Sequence, residues 1–386
     1  MRELFEKYLE NRLAQARDSG LYRTLRAVDS FDGPEVELEG RKYISFASND
    51  YLGLSRHPDV IAAASEAIGK YGAGAGASRL VIGDLAIHRE LEKQIATFKG
   101  REAARVFATG YLANIGAINS LIKPGDAIVS DEKNHSSIID ACRLSGAKIL
   151  VYRHLDMNSL REKLEEAKEF NNVLVATESV FSIDGDIAPV AETARLAKEF
   201  GAWSMIDEAH ATGIIGASGR GSEELFDCTG EIDIVMGTFS KAVGSQGGFI
   251  AGSERLAEMM VNSSRTFIYS TGLAPAASAS ALESLRIMER APELRERLFE
   301  NVDFVNQVAL KLGMRKTPSE TPVIPLTIGG EAEAVKAFEM MKDRGLIVPV
   351  MRYPTVPMGE ACLRISASTL HTTEHLEKLA DGLAAL

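Results

Sequence analysis

Trp203-Ser204-Met205-Ile206-Asp207-Glu208-Ala209-His210 is the stretch on which the fold turns: a short strand-like run that ends abruptly in acids and a histidine. A run of that length reads as a buried strand, and polar residues set just beyond a strand are placed for chemistry. The same grammar recurs in both directions. Upstream the runs are Ala127–Ser130, Lys148–Tyr152 and Val173–Thr177, and downstream they are Ile232–Met236 and Gly248–Ala251. Helical patterns lie between them, such as Leu160–Phe170 and Val190–Phe200, the latter stopped by Gly201. Buried strands spaced by amphipathic helices predict an α/β domain whose largely parallel sheet is covered on both faces.

That alternation fills roughly 57–275 of the 386 residues. Residues 1–56 read as an arm, helical then irregular, and a small β element around Val36–Phe46 with Glu39-Gly40 as its turn. Residues 276–386 change texture. A long helical stretch Ala276–Leu312 precedes a strand Pro322–Ile328, a helix Ala332–Arg344 stopped by Gly345, a strand Leu346–Met351 and a last helix. This predicts a second, smaller α+β domain. Acidic residues outnumber basic ones 54 to 43, for a net charge of -11, and no Lys/Arg block offsets them. Nucleic acid is therefore not an expected partner. Cys142, Cys228 and Cys362 are scattered and form no CxxC pair, which fits free thiols in a reducing compartment and predicts no metal site. The stretch from Met1 to Ala14 has no apolar signal core, and no run is long enough to cross a bilayer, so a cytoplasmic location is expected.

Asp207-Glu208-Ala209-His210 also spells the box of a helicase family, but a nucleotide-driven motor needs GxxxxGK[ST] and the chain has none. The strand ends taken together point elsewhere. Ile232–Met236 leads into Gly237-Thr238-Phe239-Ser240-Lys241, a lysine among small neighbours. Desolvated there, its amine would lose its proton readily enough to form a Schiff base. Asp207 could then sit against the pyridine nitrogen of pyridoxal phosphate (PLP). At an effective dielectric of ~20 such a contact is worth roughly 4 kcal/mol, or about three pKa units. His210 could reach the ring's phenolic oxygen. Gly110 and Tyr111 open a helical pattern and offer N–H groups to a phosphate, and Thr238 could add a hydroxyl. His135, after Ala127–Ser130, could stack on a planar ring, and Ser182, after Val173–Thr177, could donate to it. Singly, Asp207 is more often a helix cap, His135 a surface residue and Lys241 an exposed loop lysine. Their recurrence at successive strand ends is what points to one cofactor.

At this point the chain resembles the α-oxoamine synthases of the fold-type I PLP-dependent transferases, nearly end to end. The shared segments are Ser48-Asn49-Asp50-Tyr51-Leu52-Gly53-Leu54, Asn134-His135-Ser136-Ser137-Ile138-Ile139-Asp140, Asp184-Gly185-Asp186-Ile187-Ala188-Pro189, Asp207-Glu208-Ala209-His210, Gly237-Thr238-Phe239-Ser240-Lys241 and Leu363-Arg364-Ile365-Ser366. The resemblance implies an aspartate aminotransferase-like fold, with a mainly parallel seven-stranded sheet and a smaller C-terminal domain. It implies a homodimer with active sites at the interface, which condenses a small amino acid with an acyl-CoA and releases carbon dioxide and CoA. Lys241 becomes the cofactor's anchor and the base at the amino acid's Cα. Arg364 grips the substrate carboxylate, Asn49 lies near the substrate, and Ser270 and Thr271 approach the partner chain's phosphate. Tyr269–Pro275 and Arg352–Pro357 lean toward the member that joins L-alanine to a pimeloyl thioester, in which Arg352, Thr355 and an arm arginine matching Arg23 bind substrate. Thr238–Lys241 and Gly244–Gly248 lean instead toward serine-using relatives, and a glycine-using relative also stays open, as does another PLP activity such as aminotransfer.

Overall fold

The computed structural model describes residues 2–19, 21–315 and 317–386. Met1 and Gly20, within the stretch read as helix and arm, lie outside them. Three short strands, β1 (Ser30–Asp32), β2 (Glu35–Leu38) and β3 (Arg41–Ser45), follow a helix over Arg2–Asp18. Seven strands form the centre: β4 (Ala103–Phe107), β5 (Ala127–Asp131), β6 (Lys148–Tyr152), β7 (Val173–Glu178), β8 (Trp203–Asp207), β9 (Ile234–Thr238) and β10 (Gly248–Gly252). Four more close the chain: β11 (Val323–Gly329), β12 (Leu346–Ile347), β13 (Val350–Met351) and β14 (Ala361–Ser366).

The central order is β4-β10-β9-β8-β7-β5-β6. β5 to β9 run parallel, and β10 alone is reversed, pairing antiparallel with β4 and β9. All residues of β5, β9 and β10 are buried, as a sheet covered on both faces requires. Ile128, Leu174, Met205 and Met236 pack under one helical layer with Ala117, Ile118 and Ile138. Val129 and Val175 face the other layer with Leu160 and Leu196. Strand order reverses at β5/β7, since β6 lies outside β5 while β7, β8 and β9 extend the other way. Ligands bind at that kind of switch, beyond the carboxyl ends.

Several expected elements shift. β9 begins two residues later than the apolar run Ile232–Met236, because Asp233 leaves the ladder to accept from the N–H and hydroxyl of Ser204 (2.8 and 3.1 Å). β4 was not anticipated: Arg105 interrupts its apolar pattern, and only the fold supplies the Glu92 carboxylate that meets it at 3.6 Å. β14 was likewise hidden by Arg364 at its centre. The stretch read as one helix over Ala276–Leu312 is two, Pro275–Arg290 and Glu293–Lys311, separated at Ala291-Pro292 where proline cannot continue the ladder. Pro349 divides the strand expected over Leu346–Met351 in the same way. The Val36–Phe46 hairpin gains two strands, because β1 pairs with β2 and β12 pairs parallel with β3. The amino-terminal β element and the carboxyl-terminal part therefore share one sheet.

Candidate active site

β7 and β8 end in register, Glu178 opposite Asp207, and β9 ends at Thr238, three residues before Lys241. These ends bring Asp207, His210, Glu178 and Lys241 together with His135, which follows β5. Asp207 is buried; its Oδ2 accepts from Asn114 Nδ2 (2.7 Å) and its Oδ1 from the Ala209 N–H (2.9 Å). Burial pushes the Lys241 amine below its ordinary range, against the pull of Asp207 and Glu178. That is the direction a nucleophilic lysine needs.

Burial also drives His210 well below its ordinary value, with Lys241 adding to the effect, so the imidazole is neutral. Its Nδ1 lies 2.7 Å from the Tyr51 hydroxyl, which is itself 3.2 Å from Asn49 Oδ1. The buried Tyr51 phenol is pushed up to about 12 by desolvation, which Arg364 only partly offsets, and it stays protonated. His135 caps the helix Ser136–Ser145 through its Nδ1 while its ring remains exposed, so a face is open for stacking. Partial desolvation of the imidazole lowers its pKa, and Asp207 opposes that.

Arg364 is buried on β14, and among the described residues no carboxylate lies within ion-pair distance of it. Its Nε donates to the Ser182 carbonyl (2.7 Å), one Nη to Ser366 Oγ (2.7 Å), and both Nη lie 3.4 Å from Asn49 Oδ1. A buried guanidinium held only by neutral acceptors is a seat for an anion.

Gly110 opens the helix Gly110–Leu121, capped by Thr109, so its N–H and that of Tyr111 stand at the free end. A Cβ at Gly110 would come within 2.9 Å of Met236 and 3.2 Å of Thr238, and only glycine lets this helix end approach β9 so closely. The Thr238 hydroxyl donates to the Gly247 carbonyl at 2.8 Å and lies 2.8 Å from Ser240 Oγ, so much of its capacity is spent within the turn. The Tyr111 side chain points to Asp140. Ser182 contributes its carbonyl to Arg364, and its own hydroxyl has no partner among the described residues. Ser270 and Thr271 sit between the helices Arg265–Ile268 and Pro275–Arg290, with Thr271 exposed and bridged to Ser78. Arg23, Arg352 and Thr355 line one cavity of about 380 Å³ with Leu21, Val350 and Tyr353.

Sequence reading gave no role to Glu178, Tyr51 or Asn114. Glu178 is buried with Oε1 unpartnered and is raised to about 8 by burial and by Asp207. An acid in the last position of a buried strand was a signal in the sequence; the partners of Asn114 and Tyr51 were not. His154, Asp184 and Asp186 can each bring one ligand atom within 4.8 Å of the others. Both nitrogens of His154 already face Asp131 and Asp186, however, and Lys133 pairs with Asp184 at 3.1 Å, which leaves little for a metal.

Residues 41–383 match the model of the aminotransferase class I and II family. The chain belongs to that family. An 8-amino-7-oxononanoate synthase from Lysinibacillus sphaericus is 44% identical over 93% of this chain and 92% of its own. Another, from Thermoanaerobacter pseudethanolicus, is 41% identical over 96% and 94%. A solved structure of SPT with its PLP internal aldimine superposes with a TM-score of 0.92 at 33% identity, covering 98% of this chain and 96% of that one. Within the family the chain thus groups with α-oxoamine synthases and their fold-type I architecture, as its motifs implied.

The pocket fits PLP on its own chemistry. It offers a depressed lysine amine, an acceptor-only carboxylate for a pyridinium, an exposed imidazole face, and a glycine-opened helix end for phosphate.

Proposed function

We propose that this chain is a PLP-dependent C-acyltransferase that condenses L-alanine with pimeloyl-CoA to an α-amino ketone, carbon dioxide and CoA, as an 8-amino-7-oxononanoate synthase of biotin biosynthesis. One observation carries the site: Lys241, desolvated, stands beyond the same strand ends as Asp207, His210 and His135. The curated relatives carry the choice of reaction. The cavity joining Arg23 and Arg352 supports an acyl chain that ends in a carboxylate.

PLP, when bound, supplies an electron sink for charge developing at the amino acid's Cα. Asp207 would sit against the pyridine nitrogen and favour its protonated form, and neutral His210 would donate to the phenolic oxygen. His135 would stack over one face of the ring. Arg364 fixes the amino acid's carboxylate, which points Cα–H toward Lys241. Lys241 Nζ, whose burial favours the neutral amine, removes that hydrogen and later returns a proton. Gly110, Tyr111, Thr238 and Ser182 hold the cofactor's polar groups, and Ser270 and Thr271 reach the phosphate of a second copy in a cytoplasmic homodimer. On this reading residues 57–275 are the cofactor-binding domain, residues 276–386 the smaller one, and residues 1–56 the arm and small β element.

A matrix of alanine, glycine and serine against acyl-CoAs, read as free-thiol release, tests the reading. Alanine with pimeloyl-CoA should give the highest kcat/KM. A preference for serine with long-chain acyl-CoA, or for glycine with acetyl-CoA, would move the chain to another α-oxoamine synthase activity, and keto-acid exchange without thiol release would make it an aminotransferase.

A further inference from the structure

Behind the candidate ring pocket, Asn114 is fully buried and its amide nitrogen makes two contacts: Nδ2 to Asp207 Oδ2 at 2.7 Å and Nδ2 to Ser137 Oγ at 2.8 Å. Ser137, also buried, lies with its Oγ 2.7 Å from His135 Nδ1, and its backbone N–H donates to the same nitrogen at 3.2 Å. The direction of every bond is fixed by chemistry. Flipping the Asn114 amide would press its carbonyl oxygen against a carboxylate, so the nitrogen must face Asp207. Ser137 Oγ therefore accepts from Asn114, and because the Ser137 N–H already donates to His135 Nδ1, that nitrogen can only accept and the hydroxyl proton points to it as well. His135 Nδ1 then takes two donors and carries no proton, which places the ring proton on Nε2.

The Asn114 carbonyl oxygen has no partner among the described residues, although it is buried. A side chain kept in place with an unmet acceptor is kept for its donors. Both amide hydrogens go to groups that would contact opposite parts of a bound ring: the carboxylate at its nitrogen and the imidazole over its face.

We propose that Asn114 and Ser137 are positioning residues, a directional relay that holds Asp207 by one hydrogen of an amide and fixes His135 as its Nε2–H tautomer by the other. The proposal rests on the reading that PLP lies in this pocket, but its first consequence concerns the protein alone. The relay makes the two contacts to the ring interdependent, because any shift of Asp207 is transmitted through one buried amide to the orientation of His135.

The test uses full-length protein labelled with 15N-histidine, with His135 assigned by its loss in a His135→Gln variant. Wild-type protein should show a single Nε2–H tautomer at His135, with and without PLP. Ser137→Ala should shift the ring toward a mixture of tautomers and speed PLP dissociation about five- to tenfold, the loss of one hydrogen bond. Ser137→Thr, which keeps the hydroxyl, should restore both. Asn114→Leu should disturb both contacts, and Ser137→Ala should then add little in the Asn114→Leu background, since the relay is already cut. An unchanged Nε2–H tautomer in Ser137→Ala, or fully additive effects of the two substitutions, would overturn the relay. If Asn114→Leu does not fold, the Ala/Thr pair at Ser137, at the first turn of a helix, decides alone. Failure of the wild-type chain to take up PLP, with His135 held as Nε2–H, would sink the functional reading and leave the relay standing.

Discussion

Lys241 is the residue whose role is hardest to read from its neighbours in sequence and easiest to read from its neighbours in space. Its loop of small residues would suit an exposed lysine equally well; burial near Asp207 and Glu178 is what depresses the amine. Lys241→Ala should abolish turnover and leave no lysine trapped by borohydride, and substantial steady-state activity in the pure variant would refute the assignment. A second residue-scale effect concerns pH and stability. His154 is largely buried, which lowers its pKa, but hydrogen bonds to Asp131 (3.0 Å) and Asp186 (3.4 Å) prevail and raise it from 6.5 to about 9. A folded-state pKa above the unfolded one stabilises fully below pH 6.5, and that gain is lost as pH rises through about 9. Allowing for screening, roughly 2 kcal/mol is at stake. The Tm of the wild type should therefore fall between these limits, and His154→Gln should start lower and show a flatter profile across them.

At the scale of elements, the site depends on loops that buried charges hold in place. Lys99, at the end of the helix Ala86–Lys99, reaches Glu208 at 2.5 Å, and the other oxygen of Glu208 accepts from both the N–H and the hydroxyl of Ser222 at 2.6 Å. Glu208 follows Asp207 directly, so this pair anchors the loop that carries His210. Both side chains are nearly inaccessible, and removing one partner leaves an uncompensated buried charge. Lys99→Met should cost about 3–5 kcal/mol in urea unfolding; a loss below about 1 kcal/mol would show that the pair is solvent-relaxed. The sequence made most strands of the central sheet legible because β5, β7 and β8 are apolar runs closed by acids. It concealed β4 and β14 because each carries an arginine at its centre, whose partners come from distant elements. A charged residue inside a buried strand reads as a break until the fold provides its acceptors.

For the whole molecule, the distribution of the candidate substrate groups matters more than any single one. Asp207, His210, His135 and Lys241 lie at the ends of one sheet and were legible as a series. Arg23, by contrast, comes from the irregular arm and Arg352 from the segment after β13, more than three hundred residues apart, yet both line the same cavity. No periodicity joins them; the parallel pairing of β3 with β12 does, by tying the amino-terminal element to the carboxyl-terminal part. Two guanidinium groups at one cavity should recognise the far carboxylate of an acyl chain and ignore a methyl end. Arg352→Ala should lower kcat/KM for pimeloyl-CoA by about 10- to 100-fold, the worth of one charged hydrogen bond. It should change kcat/KM for heptanoyl-CoA, which has the same length but no terminal carboxylate, by less than about threefold. Arg23→Ala should behave alike, and the double variant should lose less than the product of the two if both arginines hold one carboxylate. Equal losses on both thioesters would mean that the cavity shapes the fold or grips CoA rather than reading the end of the acyl chain.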